Sequence, residues 1–217
     1  MTPEKRAMRP IRATRVGWLL AAAILATVPT SGAHALTDVQ WTWRLAGGSS
    51  IPVSPEWFDK VHSTGLNAQA GVGARISRRV SLVAAYEFSR MFVDETGVTE
   101  YVKAQDPSFD PGDPVDSSPT TVHSIMALAV IPLTASTVAR PYLTGGVGWM
   151  WLRPGDITYT GDKLDRDNES AFSLALGGGL EAPVSPSLGV LLEAVWNVGF
   201  TEEETTQSVA IRMGVYR

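Results

Sequence analysis

Eleven consecutive residues, Leu66 to Ile76 (LNAQAGVGARI), alternate without a break. Leu66, Ala68, Ala70, Val72, Ala74 and Ile76 share one face, and Asn67, Gln69, Gly71, Gly73 and Arg75 share the other. Successive side chains of a β-strand point to opposite faces, so strict period two predicts a strand with one apolar and one small or polar side. No apolar stripe at helical spacing competes with it. A strand of roughly 9–11 residues, tilted by about 45°, crosses a bilayer.

The pattern recurs along the chain. Trp41, Trp43, Leu45 and Ile51 oppose Gln40, Thr42, Arg44 and Ser50; Leu82, Ala84, Tyr86 and Phe88 oppose Ser81, Val83, Ala85 and Glu87. Leu143, Val147, Trp149 and Trp151 oppose Thr144, Gly146, Gly148 and Met150, and Leu174, Leu176 and Leu180 oppose Ala175, Gly177, Gly179 and Glu181. Val190, Leu192, Trp196 and Phe200 oppose Gly189, Glu193 and Asn197, with Leu191 and Val195 as exceptions on the polar side. Val209, Ile211 and Met213 oppose Ser208, Ala210 and Arg212. An eighth strand is expected between Val122 and Ile131 (VHSIMALAVI), where both parities are apolar. Small Ala127 and Ala129 would suit a narrow lumen, which predicts Val122, Met126, Leu128 and Val130 on the outside.

The connections alternate between short and long, as an up-and-down barrel requires. Residues 77–79, 132–141 and 183–186 lie at one end and 52–63, 92–121, 153–170 and 201–206 at the other, and three of these last four are the longest in the chain. Of the acidic residues after Leu36, 17 of 21 fall in the second set. Asp106 to Pro119 (DPSFDPGDPVDSSP) is acidic and proline-rich, and is expected to carry no fixed structure.

The first 35 residues read as a signal peptide: basic Lys5, Arg6, Arg9, Arg12 and Arg15, a 13-residue apolar run from Val16 to Val28, and Ala33-His34-Ala35 as the cleavage site. As a helix the run would rise about 20 Å, short of the roughly 30 Å of hydrocarbon. The expected mature domain is 36–217, with 13 Lys and Arg against 21 Asp and Glu, a net charge of −8 that argues against a nucleic-acid partner. Cysteine is absent, so burial and backbone pairing must hold the exported fold together.

Which face meets lipid follows from side-chain size. An outer-membrane barrel turns its apolar face outward, and here that face carries Leu, Val, Ile, Phe and Trp, whereas the other is rich in Gly, Ala and Ser. The prediction is an all-β, eight-stranded antiparallel up-and-down transmembrane β-barrel. Its inner face holds Arg44, Arg75 and Arg212 against Glu87, Glu181 and Glu193. Three charges of each sign are expected to pair, because an unpaired buried charge costs several kcal/mol.

The strand rhythm, with RPYLTGGVGWMW at Arg140 to Trp151 and the following hairpin LALGGGLEAPVSPSLGVLLEAVW, resembles the small outer-membrane β-barrel family that includes the barrel domain of outer membrane protein A and its short relatives. The resemblance covers nearly all of Leu36 to Arg217. It implies an outer-membrane location, contact with lipid and lipopolysaccharide, assembly by the barrel-assembly machinery and a monomeric state. Family members usually end on an aromatic residue, whereas Tyr216 is followed here by Arg217.

Other motifs point to little chemistry. The glycine runs at Gly145 to Gly148 and Gly177 to Gly179 open no helix, as a phosphate cradle would need. His123 and Ser124 are adjacent in a strand and face opposite ways, so they cannot act as base and nucleophile; His62 and Ser63 fail similarly. Asp106, Asp110, Asp113 and Asp116 lack the fixed glycine of a calcium loop, and they read, like Glu202 to Glu204, as solvated acids. No cofactor, metal or catalytic residue is expected. A structural or surface-interaction role is the leading expectation, with a narrow solute pore and a lipid-modifying enzyme as alternatives.

Overall fold

The computed structural model describes residues 40–77, 79–106, 109–110, 112, 115–134, 138–159, 162–164, 167–201 and 204–217. The expected signal segment, Asp38, Asp113 and Glu202–Glu203 lie outside them. Eight long strands form where alternation was read: β1 (Gln40–Ser54), β2 (His62–Ser77), β3 (Val80–Val93), β5 (Thr120–Pro132), β6 (Arg140–Arg153), β9 (Glu169–Ser185), β10 (Leu188–Phe200) and β11 (Thr205–Tyr216). Three short ones, β4 (Val115–Ser117), β7 (Ile157–Tyr159) and β8 (Asp162–Leu164), stand apart from them as a small sheet. All eight long strands pair antiparallel with their neighbours in the chain, and β1 closes on β11 with Leu45 opposite Val215 and Ser50 opposite Ala210. No helix among the described residues is long and apolar enough to cross a membrane.

Burial follows the alternation. In β2, Leu66 and Val72 are 58% and 62% exposed, while Asn67 and Gln69 are 4% and 3% exposed. Large apolar side chains such as Leu45, Tyr86, Leu176, Leu192 and Met213 cover the outside. The lumen is filled by side chains, as the small bore of eight strands dictates.

One strand has the opposite phase to the expected one. In β5 it is Met126, Leu128 and Val130 that point inward, buried with Val83, Ala85, Tyr142, Ala175 and Val195, while Ile125, Ala127 and Ile131 are turned out. Volume across the strand pair explains the correction. Met126 lies opposite Gly148 and Leu128 opposite Gly146, and a Cβ on either glycine would strike the facing strand. The glycines of β6 make room for the large side chains of β5, so the lumen is apolar on this side rather than polar throughout.

The long connections carry structure too. α1 (Glu56–Val61) fills the first, and α2 (Glu95–Gln105) opens the second. Asp94 caps α2, its carboxylate accepting from the amides of Thr96 and Gly97 at 3.0 Å each. Gly97 lets α2 press on the Lys60 carbonyl of α1, where any Cβ would collide. The segment expected to be unstructured is therefore corrected where it is described: Phe109 is buried, and β4 pairs with β7, which pairs with β8. Val61, Val98, Val102, Phe109 and Ile157 form a core of their own, against which Val115 and Tyr159 pack. Enough apolar area is gathered there to offset the entropy of ordering the loops.

Candidate functional site

Two features occupy the barrel interior, an ion-pair network across the lumen and a plug at the loop end. The network centres on Glu193 of β10, whose side chain is fully buried. It accepts from Arg212 Nε on neighbouring β11 at 2.5 Å and from the Tyr142 hydroxyl at 2.7 Å, with Arg44 Nη1 at 3.5 Å. Arg44 also reaches Glu181 at 3.3 Å and lies 5.5 Å from the centre of the Tyr142 ring, a cation–π contact. Arg212 turns Nη1 to Glu87 at 2.9 Å and to Asn67 Oδ1 at 3.3 Å. Glu87 accepts in addition from Asn67 at 2.8 Å and Asn197 at 2.9 Å, and Asn67 donates to Ser89 Oγ at 2.8 Å. Seven of the eight strands contribute a polar group; β5 supplies only its apolar wedge.

Five of the six charged residues anticipated for the lumen are thus brought together: Arg44, Glu87, Glu181, Glu193 and Arg212. Among the described residues, Arg75 joins none of these ion pairs. It is exposed at the short-turn end of β2, where its Nη1 donates to Gln40 Oε1 at 3.2 Å. Alternation still aims it inward, but the enclosing wall ends below it. Tyr142, Asn67, Asn197 and Ser89 are network members not singled out from the sequence. Their parity, the same as that of the charged residues, was the available signal.

At the loop end, Phe58 of α1 is completely buried among Met91, Met150, Leu152 and Ala171, which face inward from β3, β6 and β9. His62 holds this corner: Nδ1 meets the Phe58 carbonyl at 3.0 Å and Nε2 meets Thr120 Oγ1 at 2.6 Å, while Thr120 accepts from the Gly155 amide at 3.0 Å. Three connections are so tied at one buried histidine. Between plug and network is a cavity of about 30 Å³ edged by Glu87, Ser124, Ser173 and Asn197, room for about one water.

On the outer surface of α1, Lys60 Nζ sits 2.8 Å from Glu56. Its ammonium holds the Glu56 carboxyl below the usual range, and the carboxylate raises Lys60 in turn. Both are solvent-exposed, so the pair adds little stability. Among the described residues no group of three or more His, Asp or Glu is arranged to hold a metal. Asp110 instead accepts from the Gly112 amide, and Asp116 lies in β4.

No family model matches the chain. No curated protein matches it either. Among solved structures, Neisserial surface protein A is similar at 12% identity and a TM-score of 0.56, over 82% of this chain and 97% of that one. Ail, the attachment invasion locus protein of Yersinia pestis, is 14% identical with a TM-score of 0.48 over 82% and 99%. The N-terminal β-barrel domain of Pseudomonas aeruginosa OprF is 10% identical with a TM-score of 0.45 over 83% and 100%. With its closed ring of eight antiparallel strands, the chain has the fold of the small eight-stranded outer-membrane barrels.

Proposed function

We propose that the protein is a monomeric outer-membrane barrel with a structural or surface-interaction role, set with its loop end outward and its short turns in the periplasm. It is exported by the segment 1–35 and inserted by the barrel-assembly machinery, which meets a last strand ending in Tyr216 and Arg217. The observation that carries this reading is the closed loop end, where Phe58 fills the mouth above a lumen spanned by ion pairs. A conduit would need that path open. A display scaffold needs it rigid, because binding loops work best on a frame that does not move. The role is non-enzymatic, and the acidic cap meets lipopolysaccharide through bridging divalent cations.

Cell fractionation with electrophoresis of boiled and unboiled samples tests the location. The protein is expected in the outer-membrane fraction with a mobility shift on boiling; recovery from the soluble periplasm would refute the assignment. Planar-bilayer recording tests the role. Unmodified protein is expected to give no steady conductance, and a persistent open channel would favour a pore.

A further inference from the structure

The barrel gathers its thioethers. Of the four methionines beyond the expected signal segment, Met213 faces outward, whereas Met91, Met126 and Met150 all border the cavity of about 30 Å³ beneath Phe58. Strand register brings two of the sulfurs to one place. Met126, Gly148, Ser173 and Gly199 form a row of facing residues across β5, β6, β9 and β10. Met126 Sδ crosses over Gly148 to the Ser173 hydroxyl, which donates to it at 3.3 Å. Met150 Sδ lies against Gly199, where any Cβ would collide with it. Ser173 and Gly199 are cross-strand partners, with about 4.5–5.5 Å between Cβ positions, so both sulfurs sit over the same stretch of wall. Met91 joins them from β3, buried in one cluster with Met150.

Methionine is a flexible gap filler of apolar cores. These three face a more polar space, because Ser124, Ser173, Asn197 and Glu87 border the same cavity. Thioethers are soft ligands, of the kind that select copper(I). Glu87 is the one charged residue lining the cavity among the described residues, and its sign favours a cation. Arg212, at 2.9 Å, already offsets part of that charge, which suits a monovalent ion better than a divalent one. We propose that Met91, Met126 and Met150 bind one soft monovalent cation of the copper(I) class inside the barrel. The ion joins β3, β5 and β6 beneath the plug. Phe58 covers the site from the loop side, so loading accompanies folding of the cap.

Silver(I), which takes the same ligands without changing oxidation state, is the probe. Silver nitrate is added in chloride-free buffer as the full chain refolds in zwitterionic micelles, with the boiling-dependent gel shift as the check on folding. One silver per chain is expected to survive desalting, read by mass spectrometry of the metal, and zinc is not retained. Met126→Leu/Met150→Leu, which nearly conserves side-chain volume, should weaken binding by at least about tenfold, and Met213→Leu on the outer face should leave it unchanged. X-ray absorption at the silver edge reads the ligands in the unmodified chain without any variant, and sulfur neighbours are expected. No stoichiometric silver in the gel-shifted protein, a shell of oxygen and nitrogen alone, equal retention of zinc, or unchanged binding in the folded double variant would overturn the proposal.

Discussion

Arg212 meets two carboxylates from different strands in a lumen that leaves its side chain 1% exposed. Burying a charge is tolerated only when partners replace the lost water, so removing one member strands the others. Arg212→Met is expected to lower stability by about 3–5 kcal/mol in urea unfolding, and adding Glu193→Leu should restore part of that loss. If the single and double variants unfold alike, the pairing contributes nothing. Arg75→Gln, by contrast, should change stability by less than about 0.5 kcal/mol. The difference between these two arginines also marks how far the site was legible. Parity assigns Arg75 and Arg212 to the same face, but it says nothing about depth along the barrel axis, and depth decides which of them is enclosed. Tyr142 escaped for another reason, since an aromatic residue beside the Pro141 of a strand start gives no hint that its hydroxyl will meet a carboxylate.

Strand positions were readable because one face had to be apolar and the other small or polar. β5 broke that condition. With both parities apolar, its phase was set by its neighbours, Gly146 and Gly148, whose missing side chains are filled by Leu128 and Met126. Gly148→Leu is therefore expected to impair folding, measured as a smaller fraction of gel-shifted barrel, and Met126→Ala in the same chain should recover little of it, because the Ile125 carbonyl of the facing strand still blocks any Cβ there. A neutral Gly148→Leu would mean that β5 faces the other way. The helices of the cap went unread because the long loops were judged on charge and proline content, although Asp94 followed by Val98, Tyr101 and Val102 carries a cap and an apolar stripe at helical spacing. Phe58→Ala should cost the cap about 3–5 kcal/mol while sparing the barrel. Limited proteolysis would then cut within 94–119 at protease levels that leave the unmodified protein whole, and unchanged protection would show that Phe58 is dispensable.

Across the whole molecule, charge is divided by end. Acidic residues crowd the long connections, whereas Arg75, Arg79, Arg140 and Arg217 lie at the short-turn end. Like charges packed at one end repel, and a divalent cation relieves the repulsion wherever an anionic lipid lies close. In lipopolysaccharide-containing membranes a chelator is expected to lower the melting temperature by about 2–4 °C, the shift that corresponds to about 1 kcal/mol for a chain of this size. Superimposable melts with and without chelator would rule the bridge out.

Closure by β1 and β11 has a bearing on the order of events in biogenesis. Arg212 belongs to the last strand in the chain and Arg44 to the first, and both meet Glu193. Arg212 can meet Glu193 within the β10–β11 hairpin alone, whereas Arg44 gains Glu193 and Glu181 only when the first strand is brought round to the last. The bonds of Arg44 are thus the part of the network that exists only once the circle has been drawn shut, and until then its guanidinium keeps its water.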